Sequence, residues 1–398
     1  MPILANNLAG TINTRIKKLP KSEIRSFNNQ ISQIPDIVKL TVGEPDLNTP
    51  DHIKQAAIND INKDDSHYAP EAGKTEYLNA VSSYLQKSLK VFYDPQNEIC
   101  ATVGVSEALN VSFMAILNPG DKVIVPTPVW GVYFGIIEMA GGIAVQVDTS
   151  EDNFILTAEH LSKVMENEGK GAKAIILTDP SNPTGRVYNK NELEKLAQVI
   201  VNYNLYALSD EIYAELIYSQ KKHYSLTQII PERTILLSGL SKNFAMTGWR
   251  IGYIAGPKEI MQTIIKINSF MITSVTDNVQ IGAAEAMAHG EEDYIEARKI
   301  YEKRLHIIQT GLEKNGFTMA TPEGAFYIFA KIPAKFGCDD VAFAKDLATK
   351  AKVGVIPGSY FGQGGQGFVR LSYASSEQNL LTAVQRITDY VNEHLTCN

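Results

Sequence analysis

An α/β protein with a mostly parallel central sheet is what this sequence predicts, and two patterns predict it. Short β-rich apolar runs alternate along the middle of the chain with longer segments of helical periodicity, the order that builds parallel strands joined by crossover helices. A long charged stretch, 291–314, reads as a helix leaving that unit, with further strand and helix candidates after it. Strands are expected at 98–103, 122–125, 144–147, 174–177, 205–208, 234–238 and 251–255. Helices are expected at 106–117, stopped by Asn118-Pro119-Gly120, and at 192–202. Past residue 314, strands are expected at 325–331 and 368–372, with helices near 341–350 and 377–393. A chain of 398 residues exceeds one ordinary core. The division expected is an arm plus part of a small domain at 1–45, a large domain at 46–289, and the rest of the small α+β domain at 290–398.

Composition narrows the function. Lys and Arg total 37 against 44 Asp and Glu, a net charge of −7, which disfavours nucleic acid as the main partner. No apolar run approaches membrane-spanning length, and the N-terminus has no long apolar core of a secretory signal. Cys100, Cys338 and Cys397 are too few and too scattered for a disulfide framework or a zinc site, so reduced thiols in a cytoplasm are expected. The histidines at 52, 67, 160, 223, 289, 306 and 394 show no ligand spacing, and no metal is assigned. Gly362 to Gly367 has the GxGxxG spacing but precedes a strand rather than opening a helix, so it reads as a loop.

The segment Ser238-Gly-Leu-Ser-Lys-Asn-Phe-Ala-Met-Thr-Gly-Trp-Arg250 carries the most chemistry. Lys242 follows an expected strand, so its amine stands where ligands sit in open α/β sheets, at the carboxyl ends of strands. Any single lysine is more commonly a solvated surface group. Gly104-Val105-Ser106 lies between an expected strand and helix, which aims free backbone N–H groups at an anion.

With its neighbours, the lysine segment resembles that of class I/II aminotransferases, pyridoxal-phosphate (PLP) enzymes of fold type I. The matching stretches, in family order, are Leu40-Thr-Val-Gly-Glu-Pro-Asp46, His67-Tyr-Ala-Pro-Glu-Ala-Gly73, Thr102-Val-Gly-Val-Ser-Glu-Ala-Leu109, Asp179-Pro-Ser-Asn-Pro-Thr-Gly185, Ser209-Asp-Glu-Ile-Tyr213 and Val369-Arg-Leu-Ser-Tyr-Ala374. The resemblance implies that residues 46–289 bind the cofactor. It implies that Lys242 condenses with the cofactor aldehyde and then acts as base and acid at the substrate carbon. Asp210 would keep the pyridine nitrogen protonated, Asn182 and Tyr213 would bond the ring's 3′ oxygen, and Trp130 would stack on the ring. Val105, Ser106 and Arg250 would hold the phosphate, with Tyr68 reaching it from the partner of a homodimer. Arg370, helped by the Gly43 backbone and Asn182, would take the substrate carboxylate, because guanidinium binds it bidentately. Gly239 stands where some relatives place a phosphate-binding serine, so neither Ser238 nor Ser241 is given that role.

The resemblance implies ping-pong transamination between an L-amino acid and a 2-oxo acid such as 2-oxoglutarate. Some aspartate-preferring relatives carry a lysine at the Ser106 position, and serine cannot pair with a distal carboxylate. Lys21-Ser-Glu-Ile-Arg-Ser-Phe27, the form Gly104-Val-Ser-Glu-Ala-Leu109 and Tyr360-Phe361 are similar to aromatic amino acid aminotransferases of lactic acid bacteria, so an aromatic donor is favoured. Aspartate and N-acetyl-diaminopimelate aminotransferases share much of the pattern. A PLP-dependent C–S lyase would keep Lys242, Asp210 and Arg370. A non-catalytic regulator would need a DNA-binding segment that the sequence does not show.

Overall fold

The computed structural model describes residues 1–218 and 221–393. Cys397 and His394 lie outside the described residues. Seven strands form the central sheet: β1 (Ile99–Thr102), β2 (Lys122–Thr127), β3 (Ile143–Asp148), β4 (Ala174–Thr178), β5 (Tyr206–Asp210), β6 (Thr234–Gly239) and β7 (Gly252–Ala255). Their order is β1-β7-β6-β5-β4-β2-β3. The ladders β3-β2-β4-β5-β6 are parallel, and β7 runs antiparallel to both β1 and β6. Every residue of β1, β6 and β7 is buried, as expected of strands covered on both faces.

Strand alternation divides the apolar side chains between two layers. Ile176, Leu208, Leu237 and Ile254 face a core shared with Val111 and Phe113 of helix α2 (Val105–Ile116). Ile175, Leu177 and Ala207 face a core shared with Leu193, Leu196 and Ile200 of helix Lys190–Asn202. That helix opens with a capping box between Asn189 and Glu192.

A second, four-stranded antiparallel sheet comprises β8 (Thr318–Met319), β9 (Tyr327–Lys331), β10 (Ile356–Pro357) and β11 (Phe368–Ser372), in the order β10-β11-β9-β8. Its core joins the two ends of the chain. Phe27 and Ile31 of helix α1 (Glu23–Ile31) and Leu40 pack with Phe329, Ile356, Leu371 and Ile387. A short parallel pairing, Val38 with Val353 and Lys39 with Gly354, ties the ends directly. Helix α3 (Glu291–Lys314) leads out of the larger unit and packs on helix α4 (Glu377–Glu393).

The expected strands all form, with shifts at their ends. The strand expected from residue 325 starts at Tyr327, because Ala325 adopts a left-handed φ of 58° that turns the chain before the ladder begins. The helix expected near 341–350 is α-helical over Asp340–Asp346 and then widens to a π turn at Leu347–Ala351. The Gly362–Gly367 loop ends at β11 and opens no helix. Cys100 is buried and free, and Cys338 is exposed and free. Among the described residues no helix is long and apolar enough to cross a membrane.

Candidate active site

Three parallel strands end side by side at one edge of the sheet, with Thr178 paired to Asp210 and Asp210 to Leu237. Side chains leaving those ends and the start of α2 enclose a cavity of about 570 Å³. It is lined by Gly43, Val105, Ser106, Trp130, Asn182, Asp210, Tyr213, Lys242, Arg250 and Arg370, which are ten of the eleven residues named from sequence. Tyr68 is the exception. It does not line the cavity and is 87% exposed.

Asp210 is buried at the tip of β5. Its Oδ2 accepts a hydrogen bond from the Tyr133 hydroxyl at 2.6 Å, and its Oδ1 accepts one from the Ile212 N–H at 3.3 Å. Burial pushes its pKa up to about 6, against the lowering effect of those two bonds. A cation placed against this carboxylate would hold it ionised.

Lys242 follows β6, and its part-buried amine donates to the Gly43 carbonyl at 2.6 Å. The amine also stands 5.9 Å from the Tyr213 ring centroid and 5.7 Å from that of Phe326. Desolvation is the largest influence on it, with Glu44 opposing and Arg370 and Arg250 reinforcing. Together they bring its pKa down to about 8. Such an amine is a nucleophile and a base at physiological pH, which an ordinary solvated lysine is not.

Arg370 is buried in β11. It donates to the Asn182 side-chain oxygen at 3.3 Å and to the Thr41 carbonyl, and it lies 4.6 Å over the Tyr327 ring. Among the described residues its Nε has no hydrogen-bond partner. A buried guanidinium with an unused donor is a ready carboxylate site.

At the start of α2, Gly104 has φ +75°, and a Cβ there would come within 2.7 Å of the Arg250 guanidinium. Glycine therefore lets the turn and the arginine approach each other where Val105 and Ser106 begin the helix. Arg250 is exposed, and its guanidinium donates to the carbonyls of Thr247 and Val103 at 3.0 and 3.2 Å. Trp130 meets the Tyr133 ring edge-on, with centroids 5.9 Å apart.

Sequence reasoning missed several lining groups. Tyr133 bonds both Asp210 and Thr178, and a signal existed, since it follows Trp130 by three residues at a helix start. Tyr327 shares a 2.7 Å hydrogen bond with the Tyr213 hydroxyl, and no local pattern marks it. Arg25 on α1 also lines the cavity.

The sequence model of the family described as "Aminotransferase class I and II" matches residues 35–387. A Bacillus subtilis (strain 168) protein named "Probable N-acetyl-LL-diaminopimelate aminotransferase" is 38% identical over 96% of this chain and 95% of its own length. "Aromatic-amino-acid aminotransferase 2" of Thermococcus litoralis is 34% identical over 96% of this chain and 98% of its own. Among solved structures, the aspartate aminotransferase from Thermus thermophilus with maleate superposes with a TM-score of 0.89 at 36% identity, covering 95% of this chain and 99% of that one.

In the cofactor-free protein the Lys242 amine should titrate near pH 8. Competitive acylation with trace acetic anhydride, read by mass spectrometry of the Lys242 peptide, should show half-maximal reactivity there. A midpoint above about pH 10 would mean that the amine is solvated.

Proposed function

We propose, for a chain that belongs to the class I and II aminotransferases and so transfers an amino group between an amino acid and a 2-oxo acid, that Lys242 is the residue bonded to pyridoxal 5′-phosphate. One observation carries the reading. An amine with its pKa lowered to about 8, a buried carboxylate and a buried guanidinium with a free donor line a single cavity at the strand ends. When bound, the cofactor supplies an aldehyde and a protonated ring that withdraws electrons from the substrate Cα.

The chain's own groups fit that cofactor. Val105 and Ser106 at the start of α2, with Arg250 beside them, are donors for a phosphate. Asp210 is placed to keep a ring nitrogen protonated, with Tyr133 orienting its carboxylate. Asn182 and Tyr213 are hydrogen-bonding groups for the ring's 3′ oxygen, and Trp130 offers it an aromatic face. Arg370 and the Gly43 backbone take the substrate carboxylate. With the cofactor bound, the Lys242 amine would be the group that moves a proton at the substrate Cα.

The preferred substrates are an aromatic L-amino acid as donor and 2-oxoglutarate as acceptor. Trp130, Tyr133, Ile24, Val42 and Val132 give the cavity an aromatic and apolar wall, and Ser106 places no cation there. Arg25 supports a second reading, because its guanidinium at the rim suits the distal carboxylate of an acidic donor such as aspartate. The enzyme is read as a cytoplasmic homodimer. Tyr68 and Phe270 are 87% and 83% exposed, and a partner subunit would cover them.

Lys242→Ala should abolish turnover and the visible absorption of the bound cofactor; transamination at the parental rate would remove the assignment. A donor screen against 2-oxoglutarate, oxaloacetate and pyruvate should give the highest kcat/KM for phenylalanine or tyrosine with 2-oxoglutarate. A higher value for aspartate would select the second reading. Tyr68→Phe should weaken cofactor retention, and a fully active monomer by sedimentation would rule out the shared site.

A further inference from the structure

Asp210 and Glu211 are consecutive at the end of β5 and serve two different cavities. Asp210 lines the one described above. Glu211 lines a second, of about 280 Å³, bounded also by Tyr84, Glu215, Lys221 and His223. Asp210 ends the strand and Glu211 follows it, with its N–H donating to the Leu237 carbonyl at 2.8 Å. Glu211 is buried, and its Oε1 accepts from the hydroxyls of Ser209 at 2.7 Å and Ser225 at 2.6 Å. Its Oε2 stands 2.6 Å from Nε2 of His223.

The other ring nitrogen of His223, Nδ1, lies 3.6 Å from Asp179 Oδ2. Among the described residues neither atom has a hydrogen-bond partner, so the two answer each other's charge. Asp179 opens the turn that carries Asn182, and its N–H donates to the Asp210 carbonyl at 3.0 Å. Ser238, on the strand leading to Lys242, donates its hydroxyl to the Glu211 carbonyl at 3.1 Å. The loops bearing Asn182, Asp210 and Lys242 thus meet around one buried ionic cluster.

We propose that His223 is a positioning residue for the reaction: held between Glu211 and Asp179, behind the turns bearing Asn182 and Asp210, it offsets the Glu211 charge beside Asp210. This rests on the reading of Asp210 given above. The groups facing His223 are Glu211, Asp179 and Glu215, with Lys221 paired to Glu323 and with Lys222 and Arg298 at the cavity wall. Burial works against the imidazolium, but the charge and hydrogen bond of Glu211, joined by Asp179, hold its pKa up to about 9. Burial raises Asp179 to about 7. Without the imidazolium, the Glu211 carboxylate raises the proton affinity of Asp210 further, and a neutral Asp210 no longer favours a cationic ring nitrogen.

The test compares the holoenzyme with His223→Gln. We expect kcat to fall about 10- to 100-fold, as when a hydrogen-bonded supporting group is removed, with KM changed less than about threefold. The visible spectrum should still show bound cofactor, with its pH titration displaced. The double variant E211Q/H223Q, which removes both charges, should recover most of the lost kcat. In cofactor-free protein, the His223 contribution to urea stability is complete below pH 6.5 and is lost as pH rises through about 9. H223Q should lack that loss. If H223Q fails to fold, D179N carries the test with a smaller fall in kcat, and D179N at parental kcat overturns the proposal. Parental kcat and spectral titration in H223Q also overturn it, as does a loss that the double variant does not recover. The control is K242A: retained turnover there defeats the assigned reaction site, whereas an inert K242A beside an unchanged H223Q defeats only the role given to His223.

Discussion

Charge held out of water at one edge of a parallel sheet is the constraint on which the rest of this structure depends. The strands β4, β5 and β6 lie within the interior and end together. Residues at those ends leave the ladder where the chain must turn, so polar side chains can stand there without breaking strand pairing. Burial then changes their chemistry. Asp210 becomes harder to ionise and Lys242 harder to protonate, for the same physical reason. Neither shift serves stability. Both suit a site that must stabilise a cation and supply a neutral amine.

The second sheet completes that edge. Arg370 comes from β11, and the Thr41 carbonyl it touches comes from the segment after Val38–Lys39. The two chain ends meet because they share one apolar core, in which Phe27, Ile31 and Leu40 pack against β9 to β11. Arg370 and Lys242 thereby line one cavity, together with residues of helices α1 and α2. Arg370 lies 4.6 Å over the Tyr327 ring, and among the described residues its Nε has no hydrogen-bond partner.

Two adjacent carboxylates show how finely strand geometry sorts chemistry. Asp210 and Glu211 differ by one methylene and one position. The first enters the candidate reaction cavity with Tyr133 as its partner; the second enters a closed cluster with His223, Ser209 and Ser225. The Asp210–Tyr133 pair and the Glu211–His223 cluster therefore share a backbone but line different cavities.

The motifs on the loops after strands were legible in the sequence, because backbone-bound chemistry needs short contiguous patterns. Gly104-Val105-Ser106 and Asp179 to Gly185 are such patterns, as is the lysine segment ending at Arg250. Short β-rich apolar runs between helical segments likewise marked the strands of the central sheet, most of which are buried on both faces. Tyr327 was not legible, nor were the partners of Thr41 and His223, for one reason. Tyr327 bonds Tyr213, Thr41 bonds Arg370 and His223 lies beside Asp179, all far apart in the chain and joined by a packing of strands and chain ends that no local pattern encodes. Sequence determined which groups were available and which turns presented them. Tertiary structure alone decided which of them left water together, and desolvation is what gives Asp210 and Lys242 their altered proton affinities.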